Sequence, residues 1–304
     1  MTHNTTFHTL LKKALPDYQL LSANILKGGA SAQTTLLDTV SAEGETKKFL
    51  VRQHGENDRA MNPNIAYDEY RLLKNLQIHN ISASIPIAVD KDTFDFPCII
   101  LDYIDGTTQI KGIGIESAMQ QMAQALANIH CIPDAENTFS WLPHQSKRAD
   151  YLIHWRSQPI DDSLSEGIIR ETLKSAPDLA KTGKICLLHG DYWENNILWH
   201  DGKLRAVIDW EDAMLGNPLA DLADARLAIL WSYNAEAMQT LTQVYQARMP
   251  DLEYSQLAYW DLLAGLRPIT QFSVWIGDYD EADMRQKHHW FIKQALNQLN
   301  NSDK

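Results

Sequence analysis

Through the first hundred positions, short apolar runs alternate with turn residues; beyond them the apolar positions settle into a period of three to four. Residues 18–26 (YQLLSANIL) and 34–40 (TTLLDTV) read as strands either side of KGGASAQ, and SAEGET reads as a hairpin turn into a third strand, KKFLVRQ, at 47–53. Within 64–80, Ala66, Leu72, Leu73 and Leu76 fall near helical spacing, which predicts an amphipathic helix. SIPIAVD and FPCIILDYI supply two further strands, and DGTT then breaks the pattern. Residues 116–130 predict a helix, 149–175 shorter ones, and four more helical stretches follow Pro218. Between them, KICLLHG and NILWHDGKLRAVID are strand-like, the second carrying an Asp201-Gly202 pair that favours a tight hairpin. The pattern predicts an α+β chain of two lobes. A small β-rich lobe spans 1–104, a hinge lies near 101–106, and a large, mainly helical lobe spans 105–304, with a cofactor expected in a cleft between the lobes.

Composition narrows the function. The 304 residues are 44% hydrophobic, enough for a sizeable core. A formal net charge of −12 argues against a general nucleic-acid surface, while leaving room for a local basic phosphate pocket. Cys98, Cys131 and Cys186 are far apart, odd in number and form no CxxC pair, so neither a disulfide framework nor a structural zinc site is expected. The N-terminal stretch lacks the apolar core of a secretory signal, and no run approaches the ~18 apolar residues of a membrane span. These features together suggest a cytoplasmic protein with no membrane partner.

The chemistry is concentrated in HGDYWENNILW, residues 189–199, and AVIDWEDA, which begins at Ala206. Asp191 precedes Asn196 by five residues, the spacing of a kinase catalytic loop of the form H-R-D-x-x-x-x-N. In that arrangement the aspartate takes the proton of the acceptor hydroxyl and the asparagine reaches a metal ion. Gly190 allows close backbone approach at the turn. Asp209 follows Asp191 by eighteen residues, at the end of an apolar run, where it could hold Mg²⁺ beside nucleotide phosphates. The plainer alternative is a pair of turn aspartates capping loops at strand ends.

LLHGDYWENNILW and VIDWEDAMLGNPLADLA resemble the aminoglycoside phosphotransferase/choline kinase-like family, and the resemblance runs from about residue 21 to 230. It implies a two-lobed protein-kinase-like fold and transfer of the γ-phosphoryl of ATP, with Mg²⁺, to a hydroxyl of a small molecule such as a sugar, amino alcohol or aminoglycoside. Carried over, Asp191 is the catalytic base, His189 the residue bracing its loop, and Asn196 and Asp209 the metal ligands. Asp221, in NPLADLA, resembles the helix carboxylate that fixes the loop. Glu211 and Asp212 follow the metal aspartate and could simply face solvent or cap the loop. In the small lobe KGGASAQTT, with Gly28, Gly29 and Ser31, resembles a phosphate-cradling turn. The third strand ends on Arg52 where kinases carry a lysine. Arginine keeps the charge but presents a planar fork. Strand alternation puts Lys48 on the same face as a second phosphate ligand, and Glu69 is the expected partner of Arg52; an ordinary surface ion pair is the alternative. Asp102, Tyr103 and Ile104 resemble the hinge that meets the base of the nucleotide.

From Asp251 to Asp283 seven acids face one base, Arg267, with Tyr254, Tyr259, Trp260, Trp275 and Tyr279 interleaved. Such a stretch suits a cationic acceptor; a solvated acidic face, with Asp280 and Glu281 opening a helix, is the competing reading. Three other functions compete with a small-molecule kinase. The first is a catalytically inactive kinase fold that binds nucleotide or a partner. The second is a protein kinase, disfavoured by HGD in place of HRD and by the lack of an A-P-E segment. The third is a metal hydrolase, disfavoured by the lack of clustered histidines.

Overall fold

The computed structural model describes residues 3–26, 32–155, 159–160, 162–176, 179, 183–269, 272, 275 and 280–302. The chain divides into two compact units, Met1–Gly106 with Arg205–Glu211, and Thr107–Leu204 with Asp212–Lys304. Residues 205–211, which read in sequence as part of the second lobe, thus fold with the first.

The first unit is built on an antiparallel sheet of five strands: β1 (Tyr18–Ile25), β2 (Ala32–Ser41), β3 (Thr46–His54), β4 (Pro86–Asp90) and β5 (Cys98–Asp102), in the order β1-β2-β3-β5-β4. The β2–β3 turn closes as the sequence suggests, with Gly44 at φ +85° and the Ser41 hydroxyl accepting from the Glu43 and Glu45 amides. Alternation along β3 sends Phe49 and Val51 into a core with Leu37, Cys98 and Ile100. That core is covered by a helix the strand pattern did not announce, α1 (His3–Ala14). Phe7, Leu10, Leu11 and Ala14 lie three to four apart, so one face of α1 is apolar and Phe7, Leu10 and Leu11 are buried. The short α2 (Glu56–Met61) precedes α3 (Ile65–Ile78), whose buried stripe is Ala66, Leu72, Leu73 and Leu76, with Glu69 among them.

The second unit is mainly helical: α4 (Ile115–His130), α5 (Ala135–Thr138), α6 (Gln145–His154), α7 (Glu166–Ser175), α8 (Pro218–Ser232), α9 (Ala235–Arg248), α10 (Leu257–Leu266) and α11 (Glu281–Ser302). Helix α8 begins where Pro218 takes the first helical position and the Asn217 side chain accepts from the Leu219 amide. Helix α9 is capped in the same way by Asn234 on the Ala237 amide. Strand β6 (Cys186–Leu188) pairs with β9 (Met214–Gly216), and β7 (Ile197–His200) forms a hairpin with β8 (Lys203–Val207). The hairpin turn is the Asp201-Gly202 pair, with φ of +48° and +71°, the left-handed pair that a two-residue turn of this kind requires. No helix among the described residues is long and apolar enough to cross a membrane, and all three cysteines are free.

A fully buried ion pair ties α8 to α10. Arg226 bonds both carboxylate oxygens of Asp261 at 3.0 Å and the Thr242 hydroxyl at 2.6 Å. Losing one partner strands a buried charge. Asp261→Ala should therefore cost about 3–5 kcal/mol, whereas Arg226→Met combined with Asp261→Leu should recover most of that loss. Urea unfolding of the three proteins checks the order.

Candidate active site

In the first unit β3 delivers Arg52, α3 delivers Glu69, and the returning segment 205–211 delivers Asp209 and Glu211. Arg52 bonds Asp209 Oδ1 at 2.5 Å and also Glu211, and its Nε lies 3.7 Å from Glu69 Oε2. Glu69 is only 3% exposed and meets His54 Nε2 at 2.7 Å, so this is a buried cluster rather than a surface pair. Burial opposes the charge on Arg52, but Glu69, Asp209 and Glu211 outweigh it and hold the guanidinium above its ordinary pKa. Burial likewise opposes ionisation of Glu69, and Arg52 and His54 overcome it, holding the carboxyl below its usual range. Asp209 has φ +67°, a left-handed backbone that aspartate tolerates better than most residues.

Lys48 lies 3.9 Å from Asp38 and over the Tyr103 ring, and Asp102 pairs with Lys47 at 3.1 Å. Lys48, Asp102 and Tyr103 line one open recess with Leu21, Asp38 and Asp105. Ile104 follows in the same segment, half-buried. Gly28, Gly29 and Ser31 lie outside the described residues.

In the second unit β6 leads into the loop His189–Asp191, a 3₁₀ turn covers Glu194–Asn196, and β7 follows. One side chain secures the loop. Asp221, in the first turn of α8 and 1% exposed, accepts from the His189 amide at 2.6 Å and the Gly190 amide at 2.9 Å. His130 Nε2 lies 3.2 Å from the same carboxylate, and His130 Nδ1 is 2.6 Å from the Tyr245 hydroxyl. Burial pushes the Asp221 pKa up, but the bonds and charges of His130, His189 and the Gly190 amide prevail and hold it below the usual range. His189 is itself buried, and its Nδ1 accepts from the Asp191 amide at 3.3 Å, so it braces the loop from within. Asn196 donates to the Asp191 carbonyl at 2.8 Å and to Asp191 Oδ2 at 3.0 Å. Asp191 and Asn196 thus come together as their spacing suggests.

Two arginines at this loop were not visible from motif spacing. Arg267 donates to Asp191 Oδ1 at 2.9 Å and to Asp224 at 3.2 Å, and reaches Asp212 at 3.4 Å. Arg148 donates to the Gly190 carbonyl at 2.9 Å. Burial pushes the Asp224 carboxyl up to about 6 against the pull of Arg267 and Arg148. The signals were faint: Arg267 is the one base among seven acids, and Asp224 stands one helical turn after Asp221. Glu211 and Asp212, read as solvent-facing or capping, are both engaged by arginines.

Several residues of the acidic stretch 251–283 have partners within the fold. Asp261 is committed to Arg226, Tyr259 and Trp260 are buried, and the Tyr254 hydroxyl bonds the Met249 carbonyl. Asp280 caps the Asp283 amide and Glu281 pairs with Arg285, the helix-start role named as the alternative. Asp278 and Tyr279 lie outside the described residues.

Comparison with known proteins agrees with this architecture. The model of the phosphotransferase enzyme family matches residues 22–260, and the chain belongs to that family. Hygromycin-B 4-O-kinase of Escherichia coli is 29% identical over 140 residues, 45% of this chain and 39% of that enzyme, so the match spans about two-fifths of the relative's length. Among solved structures, the GDP and kanamycin complex of APH(2")-IIIa superposes with a TM-score of 0.66 at 16% identity, covering 97% of this chain and 98% of that one. A thermostable mutant of aminoglycoside phosphotransferase APH(4)-Ia, in a ternary complex with AMP-PNP and hygromycin B, gives 0.62 at 16% identity, covering 95% and 98%. The α+β fold expected from the sequence is the fold of these enzymes, and the resemblance read from the loop motifs is borne out.

Two outcomes test this description. Gly190 has φ +79°, and a Cβ there would stand 2.1 Å from the Asp212 carbonyl oxygen. Backbone cannot yield as a side chain tip would, so Gly190→Ala should destabilise the protein by at least about 1–3 kcal/mol, read as a lowered Tm. Asp224, with a folded pKa near 6, binds its proton more tightly folded than unfolded. Its contribution to stability is full below its unfolded pKa of about 4 and is lost as pH rises through about 6. The Tm of Asp224→Asn relative to the parent should therefore rise from pH 4 to pH 7, which paired melting curves would show.

Proposed function

We propose that this chain transfers the γ-phosphoryl group of ATP to a hydroxyl of a small molecule. The observation that carries this reading is Asp191 held by Asn196 on a loop whose amides are pinned by the buried Asp221. The hydroxyl oxygen bonds the γ-phosphorus, and the bond from that phosphorus to the β–γ bridging oxygen breaks. ADP leaves with the electron pair, and the hydroxyl proton passes to the Asp191 carboxylate. Oδ2 of Asp191 is committed to Asn196, so Oδ1, now paired with Arg267, is the oxygen that meets the acceptor.

The residues present fit magnesium. Asn196 turns its amide nitrogen to Asp191 and keeps its carbonyl oxygen, and Asp209 gives Oδ1 to Arg52 and keeps Oδ2. Both are hard oxygen donors. Among the described residues no group of three or more His, Cys, Asp or Glu side chains could hold a metal, and an ion that takes most of its oxygens from phosphate and water requires none. When bound, it would neutralise charge on the nucleotide phosphates. Arg52, its charge fixed by three carboxylates, serves the phosphates, with Lys48 as a second cation and Gly28, Gly29 and Ser31 as their cradle. Asp102, Tyr103 and Ile104 serve the nucleotide base.

Asp191→Asn keeps its size and loses its basicity. It should still fold, with a Tm lowered by the loss of the Arg267 pair, and lower kcat about 10²- to 10⁴-fold in a coupled ADP-release assay at a temperature where both proteins are folded. Asp209→Ala should abolish the enhancement by magnesium of the affinity for a fluorescent ATP analogue. Equal enhancement in both proteins would remove Asp209 from the ligand set.

A further inference from the structure

Beside Asp191 the second unit holds a small recess lined by Arg148, Arg267, Gln145 and Trp260 and also by Asp221, held by the His189 and Gly190 amides, and Asp224, held by Arg267. The two guanidiniums are unequally provided for. Arg267 has carboxylate oxygens of Asp191 and Asp224 within 3.2 Å. Arg148 bonds only neutral acceptors, the Gly190 carbonyl and, at 3.8 Å, Met214 Sδ. Its nearest carboxylate, Asp212, is 3.8 Å away and lies closer to Arg267. Burial and the neighbouring Arg267 both work against the charge on Arg148 and lower its pKa. The side chain is nonetheless 25% exposed, open enough to be reached.

Two of the residues that line this recess each carry a buried polar atom with no hydrogen-bond partner. Trp260 Nε1 and Gln145 Oε1 are buried, on residues 1% and 4% exposed, and neither has a hydrogen-bond partner. An indole N–H can only donate, so its missing partner is an acceptor oxygen, and Gln145 Oε1 calls for a hydroxyl or N–H. A buried polar group left unmade is costly, so native structures usually satisfy it. An ammonium group suits neither the indole N–H nor the two guanidiniums. The three aspartates that could attract one are already claimed by Arg267.

We propose that the acceptor is a hydroxy carboxylate, placing its hydroxyl at Asp191 and its carboxylate on Arg148 in this recess. The planar carboxylate matches the guanidinium fork, gives Arg148 a charged hydrogen-bond acceptor closer than Asp212 and offers oxygens to the Trp260 N–H. The proposal rests on the phosphotransferase reading and assigns its substrate class.

The test is coupled ADP release at saturating magnesium–ATP. The acceptors are ω-hydroxy carboxylates of three to six carbons, their primary amides, the corresponding amino alcohols, and kanamycin and hygromycin B. For at least one chain length the carboxylate should exceed its amide and amino alcohol about tenfold or more in kcat/KM. Arg148→Gln should raise the KM of that carboxylate roughly ten- to a hundredfold and that of its amide less than about threefold. Whatever the substitution does to kcat through Gly190 should fall on both alike. Arg148→Lys should restore part of the discrimination, and it stands in should the glutamine variant fail to fold. Equal KM changes for carboxylate and amide would reduce Arg148 to a brace for the loop and overturn the proposal. Turnover only of amines or neutral alcohols would overturn it too and leave phosphoryl transfer intact. No ADP release with any compound would overturn the phosphotransferase reading as well.

Discussion

The loop His189–Asp191 depends on one carboxylate. Asp221 is buried, ionised and shared among two backbone amides and a histidine, so the turn His189–Gly190–Asp191 has a fixed anchor. A charge in the interior is tolerable only when its lone pairs are taken up, and here three donors and the Tyr245 hydroxyl behind His130 do so. Asp191, Asn196 and the close passage of Gly190 beneath the Asp212 carbonyl all inherit their geometry from that anchor.

A second theme is the use of arginine to set carboxylates. Arg52 gathers Glu69, Asp209 and Glu211 in one unit, and Arg267 gathers Asp191, Asp212 and Asp224 in the other. Each guanidinium fixes carboxylates that would otherwise repel one another, and each does so with a planar fork that a lysine could not reproduce. A chain with a net charge of −12 thereby keeps both sets of acids close to a compensating cation.

Most of the fold was legible in the chain because period and turn chemistry agreed. The helix from Ile65 to Ile78, the Asp201-Gly202 hairpin and the Pro218 helix start all follow from local rules. Helix α1 was not foreseen, although Phe7, Leu10 and Leu11 carry the right period, because one short apolar face among polar residues is a weak helical signal. Asp191, Asn196, Asp209 and Asp221 could be singled out because fixed spacing marks them. Arg148, Arg267, His130 and Tyr245 could not, since each reaches the loop from an element remote in sequence and only tertiary folding brings it there. Asp261 shows the converse: composition counts it as a surface charge, whereas it is buried against Arg226, 35 residues earlier.

The return of residues 205–211 to the first unit has a consequence for how the chain comes to be folded. During synthesis the five strands and three helices of that unit leave the ribosome within the first 106 residues, yet the unit lacks Asp209 and Glu211 until another hundred have been made. Over that interval Arg52 has Glu69 as its carboxylate and neither of the other two. The nascent first unit is therefore a less stable body than the finished one, and its completion is tied to the emergence of the Asp201-Gly202 hairpin, the short turn that carries the chain back.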